Sequence, residues 1–279
     1  MKLKNYLKSF QFNRLFWEVF AIDFIFFSIL GISFSVISNL LLKWSNKAMG
    51  GMSADQMQNF FTTASPEQML PVATILKNYL LAAILILLSM AVIYFLLYSF
   101  TRGLIWNHFS KKKITKKTYW KWNSLNLALI LPIILYSLVA ALVKLLFIVI
   151  LRFLFTLNPT LYVKYENIFD GFFLIFNGLM NLIIVLVALT IIFFAYHTFT
   201  QKYKVWESVG NAFHLFKLHW SKLWPLLLFA TLTAGILTLV LLPLKSWLQY
   251  QSFILTTVNL MISVAYLAWF RIYLVKTIS

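Results

Sequence analysis

"NYLLAAILILLSMAVIYFLLYSFT", residues 78 to 101, runs for 24 residues without one charged side chain. At about 1.5 Å per helical residue it reaches about 36 Å, more than the ~30 Å of hydrocarbon in a bilayer. Five further runs have the same character, at about 15–42, 122–151, 171–197, 223–244 and 254–275. The third extends toward 157 and is long enough to tilt strongly or to break into a span and an outer extension. None alternates apolar and polar residues over about ten positions as barrel strands do, and helices are the remaining way to satisfy a backbone in lipid. The expected fold is therefore all-α, a polytopic membrane protein with six transmembrane helices.

Composition agrees. The chain of 279 residues is 62% hydrophobic, 18% aromatic and 11% charged, against roughly 25% charged in soluble domains. The first apolar run is about twice the length of a cleavable signal region and is expected to be retained. With no cysteine, disulfides and thiolate metal sites are excluded.

An even number of spans puts both termini on one side. Of the 24 Lys and Arg, 17 fall on that side, in the N-terminal segment, the 102–122 and 198–222 loops and the C-terminus. Six fall on the other side, and Lys144 lies within a span. By the positive-inside bias the richer side is cytoplasmic, in the cell membrane. The net charge of +17 thus points to anionic membrane lipid. Nucleic acid is not an expected partner, because no loop is long enough to form a basic reading domain.

A basic residue stands three places before a tryptophan at the entrance of three spans: Arg14 and Trp17, Lys117 and Trp120, Lys217 and Trp220. At helical spacing the cation meets phosphate while the indole sits at ester level, a membrane-interface anchor. Returning spans close on "SFTRG" (99–103), "TFTQK" (198–202) and "WFRIY" (269–273). The expectation is three pseudo-repeated hairpins, 1–103, 104–202 and 203–279, in a single six-span domain. Interfacial amphipathic helices are expected ahead of the anchors: Val205, Val209, Phe213, Phe216 and Trp220 form one apolar stripe, and Leu3, Tyr6, Leu7 and Phe10 a shorter one. The middle hairpin instead carries Lys111, Lys112, Lys113, Lys116 and Lys117, a density suited to acidic headgroups at about 1 kcal/mol per cation.

Polar groups inside spans are few. Asp23 sits in the first third of span one and is expected to meet Arg14, Lys222 or Arg271. Lys144 and Arg152 share a face near the outer leaflet, where Glu166 or Asp170 could reach them. Asp170, Asn177 and Asn181 form a stripe descending span four, and Thr256, Asn259, Ser263 and Tyr266 a similar one on span six. Such groups either hold helices together or line a polar cavity open to the outside.

No HExxH pair, Walker A loop, GxSxG elbow or GxGxxG fingerprint occurs among the residues. The seven acids fall on both sides without the paired motif of a magnesium-dependent lipid transferase. Neither enzymatic activity nor a cofactor or metal is expected. The outer segment 45–70 contains four methionines, but Met57, Phe60 and Phe61 fit a short amphipathic outer helix better than a soft-metal site.

The stretch "ESVGNAFHLFKLHWSKLWPLLLFA", residues 207 to 230, leads an interfacial helix into a span through Gly210, Phe213 and Lys217. It resembles the membrane domain attached to some glycerophosphodiester phosphodiesterases and related six-span prokaryotic proteins. The resemblance covers about two dozen residues, implies a six-span layout and transfers no catalytic residue, since the hydrolase domain has no counterpart here. Two functions follow as expectations: a non-enzymatic accessory or scaffold protein contacting anionic lipids or a membrane-protein partner, and alternatively a transporter of a small or amphipathic solute.

Overall fold

The computed structural model describes residues 6, 9, 10, 13–156, 166–247 and 252–278. Leu3, Leu7 and Lys164 lie outside them, as do the side chains of Glu166 and Asp170. Every regular element among the described residues is a helix: α1 (Arg14–Ala48), α2 (Ala54–Thr63), α3 (Pro66–Phe109), α4 (Lys116–Thr156), α5 (Glu166–Lys202), α6 (Val205–Leu218), α7 (Trp220–Trp247) and α8 (Ser252–Ile278). Six of them, α1, α3, α4, α5, α7 and α8, are long and apolar enough to cross a membrane. The chain is an all-α, multi-pass integral membrane protein.

Pro132 does not break the long third run, because α4 continues for 41 residues as a single helix. α3 is longer still at 44 residues, about 66 Å at the helical rise. It exceeds the apolar run at both ends, reaching Phe109 beyond the charge at Arg102. That extension carries Arg102 two turns inside the helix rather than into a loop.

The chain divides into two compact units, 24–101 and the remainder, 1–23 with 102–279. In the first, α1 ends at Gly50 and Gly51, both with positive φ, where the Gly51 amide closes the helix on the Asn46 carbonyl at 3.0 Å. α2 starts with a capping box: the Ser53 hydroxyl accepts from the Gln56 amide, and the Gln56 side chain accepts from the Ser53 amide at 2.8 Å. The Tyr79 hydroxyl of α3 donates to the Leu41 carbonyl of α1 at 3.2 Å.

The second unit holds the core. Phe16, Val19, Ile105, Trp106, Trp122, Leu125, Phe194, Phe199, Leu223, Phe270 and Tyr273 are all buried in one cluster. These positions lie within a few turns of the lysine-rich helix ends, hereafter the basic end. Farther from it, the links between α4 and α5 include the Tyr136 hydroxyl, which donates to the Ile184 carbonyl at 2.9 Å, and Phe147, which stacks on Phe176. In the last pair Tyr266 of α8 donates to the Ala230 carbonyl of α7 at 3.0 Å. Each helix pair thus has a tyrosine bonded to the partner backbone, a useful tie where no water can serve those groups.

The N-terminal amphipathic stripe differs from expectation. Tyr6 stacks on Phe229 and Phe10 on Trp269, the Tyr6 and Thr233 hydroxyls are 2.7 Å apart, and the Trp269 indole donates to Ser9 at 2.9 Å. These N-terminal aromatics therefore face protein, because a tryptophan, a phenylalanine and a threonine of α7 and α8 offer a closer surface than lipid. On α6 the buried face is Ser208, Val209 and Ala212. Phe213, and Trp220 at the start of α7, are exposed, since small residues, not the largest aromatics, allow α6 to lie closely against α5.

Candidate functional site

Three charged side chains meet inside the second unit at the basic end. Asp23 of α1 accepts from Arg102 of α3 through Oδ1 and from Arg271 of α8 through Oδ2, the latter at 3.0 Å. Side-chain exposure is 0% for Asp23 and Arg271 and 3% for Arg102. The Arg271 guanidinium also lies 5.0 Å from the centre of the Phe193 ring of α5, within cation–π range. One carboxylate therefore joins three helices, each oxygen taking one guanidinium, the charge-assisted geometry that makes such bonds strong.

Of the expected partners of Asp23, only Arg271 is found. Arg14 is held by Glu18, Nε to Oε1 at 2.7 Å, and Glu18 also receives Nε2 of His108 at 2.7 Å. The sequence assigns Arg102 to the 102–122 loop because the apolar run stops at its own charge. Its signal was present in the sequence all the same: "SFTRG" and "WFRIY" each set an arginine just after a buried turn of a returning helix.

Around the triad the same end is tied by neutral groups. Tyr196 of α5 donates to Asn126 of α4 at 2.6 Å, and Tyr203 donates to Asn107 of α3 at 2.9 Å. Trp122 packs edge-on against Tyr196 and Phe199 and crosses Gly103 so closely that a Cβ there would lie 3.1 Å from its Cδ1. Asp23, Asn126 and Leu226, each six residues beyond an anchor tryptophan, are all buried. In two of the three, the side chain bonds to a returning helix.

The anchor tryptophans point outward: Trp17 and Trp120 are 56% exposed and Trp220 47%. Arg14, Lys111, Lys113, Lys116, Lys117 and Lys217 are exposed as well. Lys112 is exposed but committed, for its ammonium donates to the Thr200 and Gln201 carbonyls at the end of α5 and lies 5.2 Å over the Tyr203 ring. It caps the carbonyl end of α5, where a cation is favoured. Ser110 bonds Thr200 at 2.8 Å beside it, so the α3–α4 and α5–α6 connections are fastened together. Both connections contain a non-glycine residue with positive φ, Lys111 at 52° and Tyr203 at 53°.

At the far end, Lys144 donates to Asn181 Oδ1 at 2.7 Å. Arg152 lies 5.6 Å over the Phe173 ring. Asn177 and Asn259 are half-buried. Lys144 is 24 residues past Trp120, about 36 Å along the helix, more than the ~30 Å of hydrocarbon in a bilayer.

On the hydrophilic surface of α6, Glu207 receives Lys202 and Lys204. Their hydrogen bonds hold its carboxyl below the ordinary glutamate range. Burial pushes the Tyr203 phenol above its usual value.

No family model, curated protein or solved structure matches the chain. The functional reading therefore rests on the residues themselves.

Proposed function

We propose that the chain is a non-enzymatic accessory or scaffold protein of the cell membrane, with both termini cytoplasmic. Its basic end is a stiff platform that gathers anionic lipid and presents it to a membrane-protein partner. The observation that carries this reading is the contrast at that end between a fully buried ion triad and core and the exposed cations and indoles around them. Exposed Lys111, Lys113, Lys116 and Lys117 supply charge, at about 1 kcal/mol each near an anionic surface. Exposed Trp17, Trp120 and Trp220 set the depth. A platform of this kind needs rigidity beneath it, and Asp23, Arg102 and Arg271 supply it from three helices. The resemblance of residues 207–230 to membrane domains of glycerophosphodiester phosphodiesterases fits a lipid setting and brings no catalytic residue.

The test is to purify the full chain from its own membrane in mild detergent and identify the retained lipids and proteins by mass spectrometry. Enrichment of anionic lipid over the bulk membrane, lost when Lys111, Lys113, Lys116 and Lys117 become glutamine, supports the reading. Retained lipid with the composition of the bulk membrane overturns it.

The transporter alternative rests on the stripe of Lys144, Asp170, Asn177 and Asn181, in which Lys144 and Asn181 form a pair. That pair is satisfied between α4 and α5, which suits a helix link. Solute flux in proteoliposomes that Lys144→Gln abolishes would favour transport instead.

A further inference from the structure

The basic end also carries a cavity of about 230 Å³ lined by His197, Thr198, Gln201, Asn211, His214, Leu215 and His219. Three of the four histidines in the chain meet there. Thr198 fixes its floor, bonding across to the Ser208 carbonyl of α6 at 3.2 Å. The Gln201 amide stands 3.4 Å from the His197 ring. Five lining side chains bear nitrogen, and no carboxylate lines the cavity. The nearest acid along α6, Glu207, is held by Lys202 and Lys204, while Lys217 and Lys222 follow His214 and His219 by three residues each. The histidines do not form a group able to hold a metal ion among the described residues. What they offer instead is a set of nitrogen-bearing side chains with no carboxylate among them and a lysine three residues on from two of the histidines, suited to an anion with several acceptor oxygens.

We propose that this cavity binds a phosphomonoester. It lies where α5 ends at Lys202 and α6 begins, the level at which headgroup phosphates sit on the platform described above. A phosphomonoester brings three acceptor oxygens and up to two charges, and so uses more of the five nitrogen-bearing side chains than a phosphodiester does. The phosphate belongs either to a lipid headgroup such as phosphatidic acid or to a soluble ester, and the chemistry recognised is the same. This inference rests on the lipid platform only for the lipid source.

The experiment uses the full chain in phosphatidylcholine nanodiscs doped with phosphatidic acid or, at matched surface charge, with phosphatidylglycerol. Retention of each lipid is read by native mass spectrometry, with glycerol phosphate as a soluble competitor. The expected result is a preference for phosphatidic acid of roughly tenfold, the factor carried by one charge-assisted hydrogen bond. His214→Ala with His219→Ala removes that preference and leaves retention of phosphatidylglycerol intact. Neither side chain is in the buried core, and an unchanged thermal transition checks that the variant is folded. Replacing Lys111, Lys113, Lys116 and Lys117 lowers both lipids together and keeps their ratio, so failure of the platform and failure of the cavity read differently. Complete competition by glycerol phosphate assigns the site to soluble esters; resistance to it assigns the site to the lipid. Equal retention of the two lipids with no effect of glycerol phosphate overturns the proposal.

Discussion

Asp23 is the residue on which the basic end depends most. Removing one partner of a buried ion group leaves an uncompensated charge, and the usual cost is about 3–5 kcal/mol. Asp23→Leu should therefore abolish a cooperative thermal transition or lower it steeply in detergent. Replacing Asp23, Arg102 and Arg271 together with apolar residues of similar volume should restore most of the loss, since no charge is then stranded. A triple variant as damaged as the single one would show that the charges do more than join helices. Lys111 gives a second residue-scale expectation. A left-handed residue with a Cβ costs about 1–2 kcal/mol, so Lys111→Gly should hold or raise the thermal midpoint while Lys111→Val lowers it. Glu207 adds a pH effect. Its carboxyl titrates below the ordinary value of 4.5, so the tie to Lys202 and Lys204 is at full strength above that value. It is lost as pH falls through the lowered one, which hydrogen exchange in the first turn of α6 would register.

Helices α3 and α4 cross at Gly103, where Trp122 Cδ1 and Ile114 Cδ1 stand 3.1 and 3.2 Å from where a Cβ would be. Gly103→Leu must push Trp122 off Tyr196 and Phe199, and overpacking of that kind costs about 1–3 kcal/mol. Differential scanning of the variant would read this as a clear drop in midpoint. The elements themselves were legible in the sequence: all six apolar runs are helices, because twenty or more apolar residues in a row leave lipid-exposed backbone no other solution. Their ends were less legible. Hydropathy stops where charge appears, so it ended span two at Thr101 and hid Arg102 two turns within α3. Faces were hardest, since an apolar side chain on α6 suits lipid and protein equally. What decided was size: Ser208, Val209 and Ala212 admit α5, whereas Phe213 does not.

Across the unit of residues 1–23 and 102–279, polarity is divided along the helix axes: the buried core, the triad, the histidine cavity and most of the described cations of that unit share one end. Asp23 was legible as a charge needing a cation at its own depth, with Arg271 one of three candidates beside Arg14 and Lys222, because charges are rare in spans. The cavity was not, because its histidines are 17 and 5 residues apart in sequence and meet only once α6 folds back on α5. The lipid platform requires that this end face the cytoplasm. Because the chain contains no cysteine, a single introduced one reports its side without background. The decisive measurement is labelling of Lys113→Cys and Thr62→Cys in intact cells with a membrane-impermeant maleimide. The expected result is reaction at residue 62 at once and at residue 113 only after permeabilisation. Immediate reaction at 113 with protection of 62 would put the lysine-rich end outside and contradict the platform.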